Sequence, residues 1–407
     1  MANHHMRALL LGVLVALGPT ACTEGSPATG DSVSRDSAGI RIIESVQSLL
    51  PESSWEIGGI PILSIGRADG DSTQELYRVM GALRLAPDTL LIVNGGTAEV
   101  RWYDGQGQLI RSAGRQGAGP GEFSELGVGS VCLVPNGDLL VGDPLQQRAN
   151  VFTRSGEFVR VVQLLGEAAF PSIQGCFSDG TLLAWWSAGP TERVPGTLMR
   201  SQFTWSRLDS AGTPIAELAS LPSAPRYLLD QGDGQATYHT IPFTARPSAA
   251  ASASFLYVAP GAEPEIVRYG LDGSVGALLR WEPTWRVNTV DVYDRYRASV
   301  LESQATPERR SYWAKFFDLD VEMPDEVAAV ESLLVDDSGH VWAQRYLLPW
   351  DSVSVWDVFD SEGRWVVEVH MPGGFTPLQI GADFVVGLAR DEMGVERVEL
   401  RRLERGT

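Results

Sequence analysis

WYDGQGQLIRSAG (102–114) enters on aromatic residues, passes through a polar turn with two glycines and leaves on an apolar run. The phrase returns as VFTRSGEFVRVVQL (151–164), RLDSAGTPIAEL (207–218), RYGLDGSVGALLRW (268–281) and VFDSEGRWVVEV (358–369). Each copy reads as a β-hairpin, because apolar alternation stands on both sides of residues that tolerate left-handed backbone. Upstream of each lies a second hairpin signal: Ala86-Pro87-Asp88, Pro135-Asn136-Gly137, Ser178-Asp179-Gly180, residues 250–254, and Asp337-Ser338-Gly339. A sixth unit starts near Leu378, and the chain ends before its fourth strand. Two hairpins per unit make four strands per repeat.

Four-stranded repeats stacked about an axis predict an all-β fold over residues 40–407, a six-bladed β-propeller. Two β-sandwich domains would not require the repeated phrase. The strand missing from the sixth unit predicts closure by an N-terminal strand, which removes an exposed sheet edge. Two runs are available, IRIIE (40–44) and PILSIG (61–66). The second fits better, because it matches the outer-strand ending LIRSAG. One segment, 287–326, breaks the rhythm as a helical insertion between blades four and five. Asn288 to Asp291 precedes one helix, and Thr306-Pro307-Glu308 places proline at the first position of another. Its aromatics Tyr293, Tyr296, Tyr312, Trp313, Phe316 and Phe317 either cover one mouth of the ring or pack the helices onto a blade.

The composition, 44% hydrophobic and 20% charged over 407 residues, excludes a disordered chain and a multi-span membrane protein. Acidic residues outnumber basic ones 51 to 32, so the formal net charge is −19 and no cationic stripe exists for nucleic acid. Lys315 is the only lysine, which rules out a P-loop and leaves a single candidate for Schiff-base chemistry.

At the N-terminus, Arg7 precedes the apolar run ALLLGVLVAL (8–17), and Gly18-Pro19-Thr20-Ala21-Cys22 follows. Residues 1–21 therefore read as a secretory signal, too short to span a bilayer. Met6 offers an alternative start. Residues 22–39 read as a flexible tether, polar and small from Thr23 to Gly39, with an r.m.s. span of about 23 Å for those 17 residues. A small residue directly before Cys22 resembles the lipobox of bacterial lipoproteins, although Pro19 stands where leucine is usual. That resemblance implies diacylation of Cys22, and Thr23 behind it implies sorting to the outer membrane. Loss of Arg7 leaves the mature chain more acidic still, which suits a soluble body repelled by anionic headgroups.

Residues 114–123 read GRQGAGPGEF, followed by NGDLLVGD (136–143), Arg148, Val151-Phe152 and Gly156. This series resembles the NHL repeat. Together with the signal and tether, the chain from Ile40 to Arg402 resembles bacterial six-bladed β-propeller lipoproteins with NHL-like repeats. Such a likeness is specific for the blade and silent on chemistry. The glycines at 114, 117, 119 and 121 allow a tight connection between blades, and Phe123 anchors the next one. A phosphate cradle would need a helix N-terminus next, where the sequence offers strands.

Six-bladed propellers include metal-dependent lactonases, with a cation in the central channel among carboxylate and asparagine ligands. Here Asp143 and Asp336 lie near strand ends, against the alternative of solvated turn acids. NHL-type amidating lyases use histidine-bound zinc, but the mature chain keeps only His239, His340 and His370, isolated and without HExxH or CxxC. His340 reads as an exposed turn residue. No G-x-S-x-G elbow occurs. Asp69-Gly70-Asp71 with Glu75, and Asp230 with Asp233-Gly234, have oxygen spacing compatible with calcium, though neither completes an EF-hand loop.

Cys132 and Cys176 fall in the first strands of neighbouring blades, where a bridge would close a loop of about 44 residues and contribute about 4 kcal/mol by chain entropy. They stand five and four residues before their turn glycines, so two buried free thiols remain the alternative. Among twelve tryptophans, Trp185, Trp186, Trp281, Trp285, Trp350 and Trp356 serve either to stack sugars at a mouth or to fill blade cores.

The reading is an envelope-anchored binding or scaffold protein, monomeric, that recognises a protein, peptide or glycan and carries no catalytic motif. The alternative is a metal-dependent hydrolase or lactonase with a divalent cation such as calcium in the channel. No other cofactor is implied, and the membrane is met through the lipid anchor only.

Overall fold

Short apolar runs separated by glycine turns have one simple way to satisfy their backbone, antiparallel pairing of sequence neighbours. The computed structural model describes residues 32–46, 54–68, 70–166, 170–190, 193–232 and 235–406. Its first sheet holds Val79–Ala86, Thr89–Asn94, Glu99–Asp104 and Leu109–Ala113 in that order. The second holds Val131–Leu133, Leu139–Asp143, Arg148–Phe152 and Phe158–Gln163. In the third are Ser172–Cys176, Leu182–Ala188, Gln202–Leu208 and Pro214–Pro222. Ser248–Ala251, Leu256–Ala259, Glu265–Tyr269 and Val275–Glu282 form the fourth, and Val330–Val335, Val341–Arg345, Ser354–Phe359 and Trp365–Met371 the fifth. The sixth contains Phe375–Ile380, Phe384–Arg390 and Glu396–Arg405.

The quoted phrase is the connection from third to fourth strand. Gly107, Gly156, Gly212, Gly273 and Gly363 all take positive φ there, between +76° and +91°. Asp104, Asp209 and Asp360 each accept two backbone N–H bonds of that turn through one carboxylate oxygen. The repeated D-x-x-G is thus a side-chain-capped turn.

Six core clusters each fill the space between two consecutive sheets. Phe123, Val141 and Trp102 join the first to the second, and Ala149, Leu140 and Leu182 the second to the third. Trp205 and Val258, Ile266 and Phe359, and Trp356 and Val385 continue the series. Ile92, Tyr103, Val386 and Val398 then join the sixth sheet to the first. The innermost strands are also stitched directly: Gln379 Oε1 accepts Arg84 N at 2.7 Å, and Ser248 Oγ accepts Leu333 N at 2.9 Å.

The sixth sheet begins at Phe375, three residues before the expected Leu378, and is completed by N-terminal segments. Leu63–Ile65 pairs with Val398–Leu400, and Trp55–Ile57 with Leu403–Arg405. The other N-terminal run, Ile40–Val46, goes elsewhere. It extends the outer edge of the fourth sheet, parallel to residues 277–282. The expectation of a tether through residue 39 is corrected here, because Val33–Ser37 folds back as a strand on residues 40–44. Ala38 and Gly39, both at positive φ, make the two-residue turn, and Arg35 pairs with Glu44 at 3.0 Å. Nothing apolar marks this strand, and all five residues are exposed. Residues 1–21 and Cys22 lie outside the described residues.

Within the insertion, α1 (Thr289–Glu302) starts at Asn288, and α2 (Pro307–Phe317) starts at Thr306, whose hydroxyl accepts Arg309 N. The reading of the sequence missed a further element, a three-stranded sheet of Leu198–Met199, Arg226–Gly232 and Gln235–Thr240. Phe316 and Phe317 pack with Leu229 and Ile241 of this extra sheet. The tyrosine hydroxyl of Tyr312 bonds His239 Nε2, whose imidazole burial pushes down in pKa. Among the described residues, no helix is long and apolar enough to cross a membrane.

Candidate functional site

The loop at 114–123 is held by the residues that make the repeat recognisable. Phe123 is wholly buried between the first two sheets. A Cβ on Gly114 would lie 2.7 Å from the Phe123 ring, and one on Gly117 still closer to the Glu122 carboxylate. Arg148 donates to the carbonyls of Ala118, Gly119 and Glu122 at 2.8–2.9 Å. Asn150 accepts Gly121 N and donates to Glu122 O. Asp143, fully buried, accepts Ser124 N at 2.8 Å, Ser124 Oγ at 2.5 Å and Gln146 N at 3.2 Å. The D…R signature is a strap for the inter-sheet loop.

Asp336 sits at the other end of its sheet, where the first strand turns into the second. It accepts Ser338 N, His340 N, Trp342 Nε1 and, at 2.8 Å, Arg405 Nη2. Burial works against its charge, yet the donors from His340 and Trp342 hold its carboxyl below the ordinary value. Neither acid is a solvated turn residue, and the two do not converge. His340 is not simply exposed either. Its Nδ1 lies 3.1 Å from both Asp336 and Arg405, and its ring meets Trp55 edge-on at 5.1 Å. Those partners come from opposite ends of the chain, so no local pattern announces them. His370 stands on the fourth strand of the fifth sheet, exposed.

Asp71 binds Thr73 N and Oγ1 and lies 3.7 Å from Arg67, in the connection that leads into the first sheet. Asp230 is on the extra sheet; Asp69, Asp233 and Gly234 fall outside the described residues. Among the described residues, no three His, Cys, Asp or Glu side chains stand close enough to share a metal ion.

Cys132 and Cys176 are joined, with Cα atoms 5.7 Å apart. Cys132 lies opposite Leu140 and Cys176 opposite Leu182, both in the cluster between sheets two and three. Consecutive sheets meet through opposite faces, so residues that meet across them must differ by one in register. The offset of five against four satisfies that requirement.

The tryptophans divide. Trp281 and Trp356 are core residues, 2% and 1% exposed. Trp185 lies beside Phe203 at a 260 Å³ hollow with Gln174 and Glu331. Trp285 and Trp350 line a cavity of about 560 Å³ between the insertion and the 346–353 loop of the fifth sheet.

This cavity has a defined construction. The neck of the insertion is zipped by Val327 N to Val287 O at 2.9 Å and Thr289 N to Asp325 O at 2.9 Å. Arg286 donates through Nε to Glu326 across the same neck, 2.9 Å. That places Trp285 and Val287 beside Val327 and Ala328 on one wall. The facing wall is Tyr346, Leu348, Trp350 and Asp351, from the loop between the second and third strands. At the floor, Arg345 grips Asp357 through Nη2 at 2.7 Å and Nε at 3.2 Å, and also bonds Glu368. Arg345 covers the Trp285 ring at 4.6 Å, and Arg295 the Trp350 ring at 4.0 Å. Burial pushes the Asp357 carboxyl up to about 6 against the lowering pull of Arg345, and the Tyr346 hydroxyl up to about 12. The wall is mainly apolar, with few polar groups, as in sites that orient a small organic ligand. The strap cluster, the extra sheet and this cavity all involve loops at the end of the sheets where first strands begin.

No protein-family model matches the chain. No curated protein matches it either. Among solved structures, it is similar to a member of the DUF4221 family from Bacteroides vulgatus, 10% identical, with a TM-score of 0.49, over 88% of this chain and 100% of that one. Virginiamycin B lyase from Staphylococcus aureus is 10% identical, with a TM-score of 0.40, over 86% and 99%. A gluconolactonase from Xanthomonas campestris is 14% identical, with a TM-score of 0.35, over 93% and 99%. At such identities and scores, these likenesses assign neither an activity nor a ligand to this chain.

Proposed function

We propose that this chain is an exported, lipid-anchored, six-bladed β-propeller that binds an envelope protein, peptide or glycan at its insertion-bearing end. Six four-stranded units joined by six inter-sheet cores that return to the first sheet support the ring, and the pairing of residues 63–65 with 398–400 supports its closure. The N-terminal signal and Cys22 support export and an outer-membrane anchor. The bridge between Cys132 and Cys176 suits an oxidising compartment. An acidic body without a basic stripe leaves nucleic acid out, and a monomer is the working state.

The observation that carries the binding reading is the contrast in how side chains are used. Asp143 and Asp336 are saturated by protein donors at opposite ends of their sheets, whereas Trp285 and Trp350 wall an open cavity. Pull-down from envelope extracts with the wild-type chain and with Trp350→Ala tests it: the retained ligand disappears with the variant. Equal retention by both overturns the site. Metal analysis without chelator tests the rest, because a stoichiometric divalent ion that protects against thermal unfolding would replace binding with hydrolysis.

A further inference from the structure

The cavity between the insertion and the 346–353 loop contains more chemistry than a generic apolar hollow. Trp285 lines it, and its indole Nε1 is buried and has no acceptor among the described residues. Asp351 uses Oδ2 to accept Leu348 N at 2.9 Å, which leaves Oδ1 to accept from a ligand. Ser352 adds a hydroxyl of either sense. Arg345 spends Nε and Nη2 on Asp357 and Glu368, so its charge is already matched by two carboxylates. The floor therefore carries no net positive charge to attract an anion. Each indole has one face under a guanidinium, which fixes it; Trp285 also packs against the core between sheets four and five, and Trp350 is a half-buried plate.

Resting on the proposal that this end binds a ligand, we infer that the ligand is a neutral carbohydrate, one sugar ring of a glycan seated against Trp350 and Trp285. A pyranose ring offers the matching set: an apolar C–H face for an indole plate, and hydroxyls that donate to Asp351 and exchange hydrogen bonds with Ser352. A peptide offers amides at fixed spacing along a strand, and the cavity has no free strand edge among its lining residues to pair with one.

The test uses the full chain in detergent, titrated with cellobiose, maltose and chitobiose, followed by saturation-transfer NMR and tryptophan fluorescence. Saturable binding of at least one disaccharide is expected, with the strongest transfer to protons of one ring face. Trp350→Ala weakens it by about tenfold or more, and Trp350→Phe, which keeps a plate, recovers most of it. Unchanged melting of Trp350→Ala shows that the loss is local. Absence of saturable binding to all three sugars, or binding indifferent to Trp350→Ala, overturns the inference. If no sugar binds but an envelope protein or peptide is retained by the wild type and lost with Trp350→Ala, the carbohydrate assignment falls and the binding site stands. If retention from extracts is also indifferent to the variant, both fall.

Discussion

Two junctions of this molecule occupy the same place in the repeat and are filled in opposite ways. Between sheets one and two, a short glycine loop is pinned by Asp143, Arg148 and Asn150, and Phe123 closes the gap beneath it. Between sheets four and five the connection swells to an insertion of two helices, and the pinning positions change their chemistry. Val141 pairs with Asn150 and Ala343 with Asp357, so Asp357 stands where Asn150 does and Arg345 where Asp143 does. The cation and anion have swapped strands, and they hold Trp285 in place of a loop backbone. A strap that ties backbone to backbone leaves no room. One that ties a side chain leaves a cavity beside it.

The largest effect that can break this comparison is removal of the anchor at the first junction. Phe123→Ala empties a fully buried site and should cost about 3–5 kcal/mol, read as a fall in the urea midpoint at unchanged slope. Trp350→Ala at the other junction, half-buried beside an open cavity, should cost less than about 1.5 kcal/mol. Equal losses would mean that the second junction is as much a structural strap as the first.

The junction between sheets two and three is a third solution, a covalent one. Reduction of the bridge should cost about 4 kcal/mol in the chain-entropy account for a 44-residue loop. Thiol titration of the denatured, unreduced chain should find neither cysteine reactive. Two reactive thiols in chain taken from an oxidising compartment would remove this third case.

The Asp357 cluster sharpens the contrast through pH. Its folded carboxyl titrates near 6, above the ordinary 3.8, so between those values the native state holds a proton that the unfolded state has lost. Stability from this group is therefore present below about pH 4 and falls as pH rises through 6, by roughly 2–3 kcal/mol. The stability difference between wild type and Asp357→Asn should shift by that amount across the window and stay flat above it. A flat difference for Asp357→Asn would mean that Arg345 compensates its burial fully.

The phrase from third to fourth strand was legible in the sequence because its turn is capped by its own aspartate and needs nothing distant. Positions of the hairpins, the two helices and the pairing of residues 63–65 follow from the same local periodicity. The strand Val33–Ser37 was not legible, since it is wholly exposed and carries no apolar alternation. The extra sheet hid because its strands come from separate connections, 198–199 and 226–240, and find each other only in space. At the site, the sequence offered Trp285 and Trp350 among other tryptophans without separating plates from core. Arg345 and Asp357 were missed altogether, since a charge pair inside alternating strands reads as ordinary surface. His340 and Asp336 were noticed, but Arg405, the group that decides their environment, lies 65 residues or more away.

The smallest expected effect tests whether the insertion is an independent attachment. Thr306 caps α2 through its hydroxyl, and Pro307 presets the first turn, so Thr306→Ala should cost that helix about 1 kcal/mol. The helix packs on the extra sheet, and the six repeats hold one another through cores to which α2 contributes nothing. The loss should therefore appear as faster amide exchange in 307–317 and in the 235–240 strand, while exchange in the first and second sheets is unchanged. Global melting should move little. If instead all six sheets lose protection together, the insertion is part of one cooperative unit with them, and the cavity at its neck is then braced by the whole fold.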